Sequence, residues 1–206
     1  MGLFGRRKNR DAAAPQGPDE GHRTDLVVPL LAGAAWMAAN SERFALIPGF
    51  PESAVPHARP LADGLWATYA SDASGAWEVV QRGQVDELGG AARLHALALE
   101  NLRRRVADDI AVGGGGTRYA FEVASERDLT ASLALIPDLR RQVVEIPGRL
   151  AFAVPTRVNL FVCGADDADT LPSLRELAPA LFDRADGKPV APTLFALEGD
   201  RIEALR

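Results

Sequence analysis

The chain has 206 residues, 47% hydrophobic and 25% charged, which fits an ordinary globular protein of one domain or two small ones with material for a sizeable core. Its net charge of -5 and pI near 5.3 give no general attraction to a phosphate backbone or an anionic membrane, so nucleic acid is excluded as a first expectation. The single cysteine, Cys163, lies in the apolar run Leu160-Phe161-Val162-Cys163; it excludes an intrachain disulfide and suits a reducing, cytoplasmic setting.

Residues 1–23 hold Ala, Pro, Gly and charge without periodicity and predict a disordered tail, followed by a single domain over residues 24–206. The tail lacks the apolar core of a secretory signal, and Arg6 stands where N-myristoylation wants Ser or Thr. Leu3 and Phe4 beside Arg6, Arg7, Lys8 and Arg10 leave room for weak peripheral membrane contact, at about 1 kcal/mol per basic residue. The apolar run of residues 26–39 falls short of the roughly 20 residues of a membrane span and contains Pro29 and Gly33, so it reads as core.

Leu26-Val27-Val28 suits a buried strand, and Gly33 to Asn40 suit either an extended continuation or a short helix. Residues 48–60 carry prolines at 48, 51, 56 and 60, each removing a donor and restraining its predecessor, and predict a long loop presenting Phe50 and His57. Residues 65–70 and 76–80 alternate about a turn at 71–75, a hairpin that would bring Trp66 opposite Trp77. From residue 85 to about 106, Leu88, Ala92, Leu94, Leu97, Ala98, Leu102 and Val106 recur at helical spacing, with Arg103, Arg104 and Arg105 where cations complement the dipole. Gly113 to Gly116 read as a flexible connector before a strand alternating about Tyr119, Phe121 and Val123. Asp128 then caps a short helix through Leu135. Strands over 149–154 and 158–163, a helix capped by Thr170 and running to about Phe182, and a hairpin of 193–197 with 201–205 complete the chain. Hairpins mixed with helices predict an α+β fold: a mainly antiparallel sheet packed against one long and two shorter helices.

Catalytic constellations are missing from the pattern. The glycine run sits after a helix and before a strand, the reverse of a phosphate cradle, and has no lysine beside a hydroxyl residue. His22, His57 and His95 are scattered, with no i, i+4 partner or cysteine pair, so neither a metal nor any other cofactor is expected. Asp166, Asp167 and Asp169 lack the glycine and glutamate of a calcium loop, and no nucleophile elbow surrounds Ser132. Three residues remain as candidate binding groups: His95 on the long helix, Asn101 in its apolar stripe, where an amide needs a buried partner, and Asp128. Each also has a structural reading, His95 as a polar neighbour, Asn101 as glue between elements and Asp128 as a cap.

The order of Leu97-Ala98-Leu99-Glu100-Asn101-Leu102 on a helix, an alternating strand before Asp128-Leu129-Thr130-Ala131-Ser132, and Phe152-Ala153-Val154-Pro155 before a further strand resembles the YtpQ-like bacterial proteins of unknown function. The likeness covers residues 65–205. It implies a cytoplasmic α+β protein without an assigned activity, cofactor or catalytic residue. The expected function is a non-enzymatic interaction or regulatory module with a protein partner; the alternatives are a hydrolase or small-ligand binder using the dispersed polar groups, and a peripheral membrane protein using the tail.

Overall fold

An amphipathic helix needs an apolar surface to lie on, and the computed structural model, which describes residues 24–72, 77–136, 139, 143, 145–186, 188–199 and 201–205, supplies it with two antiparallel sheets. The first contains β1 (Val28–Gly33), β2 (Ala58–Ala62), β3 (Leu65–Asp72) and β4 (Trp77–Val79), with β3 central. The second contains β5 (Ile110–Gly115), β6 (Arg118–Val123), β7 (Leu150–Ala153), β8 (Leu160–Gly164), β9 (Leu194–Glu198) and β10 (Arg201–Leu205), ordered β10-β9-β7-β8-β6-β5. The helices whose bounds fall within the described residues are α1 (Ala34–Ala45), α2 (Ala91–Val106) and α3 (Thr170–Asp183). This is the α+β class with antiparallel sheets that the hairpin pattern implies. The N-terminal tail lies outside the described residues.

Burial explains the packing. Leu94 and Ala98 of α2 join Val27, Ala67, Tyr69 and Val80 in a cluster on the first sheet, while Leu102 and Val106 reach the larger one. That larger cluster joins the sheets: Val28, Leu30 and Leu31 of β1 meet Phe121, Phe152, Leu160 and Phe195 of the second. Phe152 and Phe195 are cross-strand partners with ring centroids 5.5 Å apart. Full burial of a leucine such as Leu94 or Leu102 stabilises by about 1.5–3 kcal/mol. Helix α3 covers the far face of the second sheet through Leu174 and Ala178, and Cys163 lies beneath it, fully buried.

Several elements decide between the alternatives the sequence leaves open or depart from its expectation, each for a physical reason. Residues 33–40 resolve to a helix after Gly33, whose missing Cβ admits the Val190 carbonyl; a Cβ there would stand 1.5 Å from that oxygen. Helix α2 begins at Ala91, not near Val85, because Gly89 and Gly90 both take φ of +88°, a conformation no helix interior contains. Residues 48–60 are not a pure loop: a 3₁₀ turn forms at Glu52–Ala54, and Pro60 lies inside β2, tolerated because β2 is an edge strand. Trp66 and Trp77 do not face each other. Trp66 pairs with Ala32 and Pro60, whereas Trp77 pairs with Asp72; the intervening turn lies outside the described residues.

The glycine run is a strand rather than a connector, since β5 pairs with β6 from Ile110↔Val123 to Gly115↔Arg118. Asp128 caps no α-helix: residues Arg127–Leu129 and Ala131–Leu135 are 3₁₀ turns without a side-chain cap. Thr170 is the first residue of α3, and the capping acceptor is Asp167, whose Oδ1 takes the N–H groups of Asp169 and Thr170 at 3.0 Å each. The Thr170 N–H first, then the nearby Thr117 and Thr170 hydroxyls, with the Asp169 N–H contributing least, hold the Asp167 carboxyl at about 2, well below the usual range.

Candidate functional site

The structure gathers histidines that the sequence scatters. Strand β3 turns Tyr69 toward α2, where its hydroxyl lies 2.9 Å from His95 Nδ1, and the His57 ring stacks on the Tyr69 ring at 5.6 Å and 19°. Burial pushes the Tyr69 phenol up to about 12, against a smaller pull from the Arg59 charge, so the hydroxyl keeps its proton. The two groups share one hydrogen bond, in which Nδ1 accepts the Tyr69 proton or Nδ1–H donates to the phenol oxygen according to the His95 tautomer. Burial, then Arg59, lowers the His95 pKa; burial, then Arg82, lowers that of His57, whose Nε2 is enclosed without a described partner.

His95 lines a groove of about 660 Å³ where the sheets meet. The edge strands β2 and β10 approach each other there. Arg59 and Leu61 come from β2, His95 and Leu99 from α2, Leu135 and Ile136 from the 3₁₀ segment and its end, and Leu197, Glu198 and Arg201 from the β9–β10 hairpin. Sequence reasoning missed Arg59, Tyr69 and Arg201. A buried tyrosine hydroxyl always calls for a partner, and that was the available signal for the Tyr69–His95 pair.

Asn101 and Asp128 are elsewhere. Asn101 is 3% exposed, and its Nδ2 donates to the carbonyls of Thr24 and Val27 at 2.8 Å each while its Oδ1 accepts from Arg104. The amide faces a closed core and ties the chain entering β1 to α2. Asp128 holds Lys188 Nζ at 2.5 and 2.7 Å and stands in the field of half-buried Arg157. Neither residue lines the groove of His95, so the three candidates do not converge.

Cys163 sits where a nucleophile is disfavoured, since burial, with a smaller contribution from Asp167, pushes its thiol up to about 11. Among the described residues no group of three His, Cys, Asp or Glu side chains could hold a metal ion, and no helix is long and apolar enough to cross a membrane.

Among the described residues, two surfaces carry apolar or backbone groups without a partner. One is α1, none of whose residues is buried; Phe44 stacks on Phe50 at 4.6 Å, and Leu46 beyond its end is 83% exposed. The loop aromatic Phe50 thus belongs to this small cluster. The other is the outer edge of β5, which pairs with no described strand and is exposed from Ala111 to Gly115. The Asp109 carbonyl accepts the Ala124 N–H at 3.1 Å, and this sets the ladder phase: residues 111, 113 and 115 bond to β6, and the backbone groups of Ile110, Val112 and Gly114 point outward. In keeping with that phase, the Val123 N–H, which β5 does not use, donates to Thr130 Oγ1 at 3.0 Å. Cavities of about 390 and 380 Å³ open beside β5, one toward Leu174 and Leu177 of α3 and one toward Phe121 and Leu160.

Fold and surface together describe an α+β protein with an open sheet edge and a separate junction groove. No protein-family model matches the chain, and no curated protein or solved structure matches it either.

Proposed function

We propose that the protein is a non-enzymatic interaction module that takes an extended segment of a protein partner along the edge of β5. The observation that carries this reading is the composition of that edge. Ile110-Ala-Val-Gly-Gly-Gly115 contains no charge and no proline, the usual devices that keep a sheet edge from pairing. The opposite edge is managed differently: β10 bears Arg201, bridged to Glu203 at 3.0 Å, and lies against β2. An extended chain supplies the alternating donors and acceptors that Ile110, Val112 and Gly114 need, and the flanking cavities receive its alternate side chains. Kinship with the YtpQ-like proteins, on the resemblance in motif order, and a cytoplasmic setting belong to the same proposal.

The test is capture from native lysate by the full chain and by Val112→Pro. Proline at 112 removes an outward donor and leaves the β5–β6 ladder intact. A stoichiometric protein partner held by the wild type and lost from Val112→Pro supports the reading; a partner held equally by both refutes it.

A further inference from the structure

The junction groove is chemically unlike the β5 edge, and we infer that it is a binding site for a small amphipathic monocarboxylate, with the anionic head on Arg59 and the hydrocarbon on the groove's apolar wall. Its volume of about 660 Å³ is that of a small-molecule site. Leu61, Leu99, Leu135, Ile136, Leu197 and Ile202 come from four separate segments, so a chain lying there is covered from several sides.

Arg59 is the charge that calls for an anion. It is exposed on β2, and no described carboxylate lies within ion-pair distance of it. Arg59 and His95 line the same groove, and the guanidinium charge acts on both His95 and Tyr69. Nδ1 of His95 is occupied by the Tyr69 hydroxyl, which leaves Nε2 as the ring nitrogen outside that bond on a residue that lines the groove. Arg201 adds a second guanidinium, with its Nε already on Glu203. Glu198 also lines the groove, and its charge favours a single carboxylate over a dianionic phosphate ester.

The proposal is tested on the full chain by isothermal titration with sodium decanoate, with decanol as the tail without charge and acetate as the charge without tail. Decanoate should bind saturably, with decanol and acetate at least about tenfold weaker. Arg59→Gln should weaken decanoate about tenfold while the thermal midpoint of the free protein stays unchanged. Backbone NMR shifts should centre on His95, Leu99 and Leu135. No saturable decanoate binding, equal affinity for decanol, an unaffected Arg59→Gln, or shifts centred on Leu174 and Leu177 would each overturn it. Val112→Pro leaves this site intact, so its result and that of the β5 proposal are separable.

Discussion

Replacing Asn101 by alanine removes the tie between α2 and the strand entry. Two carbonyl oxygens lose their donor, those of Thr24 and Val27, each bonded at 2.8 Å, and Arg104 loses an acceptor. Val27 is fully buried, so its abandoned carbonyl carries a desolvation penalty of about 1–3 kcal/mol; Thr24 is exposed and recovers water at little net loss. With the weaker loss at Arg104, the total is about 2–4 kcal/mol. For a chain of this length that lowers the melting temperature by about 5–15 °C. Asn101→Asp should cost more, because a carboxylate then faces two carbonyl oxygens with only Arg104 to balance it. Urea unfolding followed by tryptophan fluorescence measures both. A loss below about 0.5 kcal/mol for the alanine variant, or a more stable aspartate variant, would refute this account of Asn101.

Other substitutions address the sheet junction and the titrating groups. Gly33→Ala should destabilise by about 1–3 kcal/mol or more, since its Cβ would overlap the Val190 carbonyl; calorimetry showing an unchanged melting temperature would contradict the contact. Folding lowers the pKa of His57 and His95, so below about pH 6.5 the unfolded chain binds more protons and stability should fall with pH until the folded-state values are passed. Urea midpoints at neutral and mildly acid pH should show the decline, and His95→Gln should make it shallower; an identical slope in the variant would exclude His95 as a contributor. Because Cys163 is fully buried, which also pushes its thiol up to about 11, it should react with a disulfide reagent at mildly alkaline pH only as fast as the chain opens, and immediate labelling would contradict its burial.

Local signals fixed the elements that are locally determined. The alternation of Tyr119, Phe121 and Val123 in β6, the apolar stripe through Leu94, Ala98 and Leu102, and the hairpin that closes the chain are all formed as their patterns predict. The failures lie where a distant partner decides. Gly113 to Gly115 have no intrinsic strand preference, and β6 makes them a strand. Pro60 reads as a breaker because no local feature announces an edge strand. The Tyr69–His95 pair and Arg59 come from separate elements that only the completed sheet and helix bring together, so no motif spacing records them. Asn101 was legible as a residue in need of a buried partner, but not as one bonded to carbonyls more than seventy positions away.

The central claim concerns the outer edge of β5, and amide hydrogen exchange over residues 110–115, measured in the isolated chain and in its complex with the captured partner, tests it most directly. In the isolated chain the amides of Ala111, Gly113 and Gly115 should be protected and those of Ile110, Val112 and Gly114 should exchange rapidly. The complex should protect the second set as well, abolishing the alternation. An alternation that persists in the complex, with new protection appearing along α1 instead, would contradict the account.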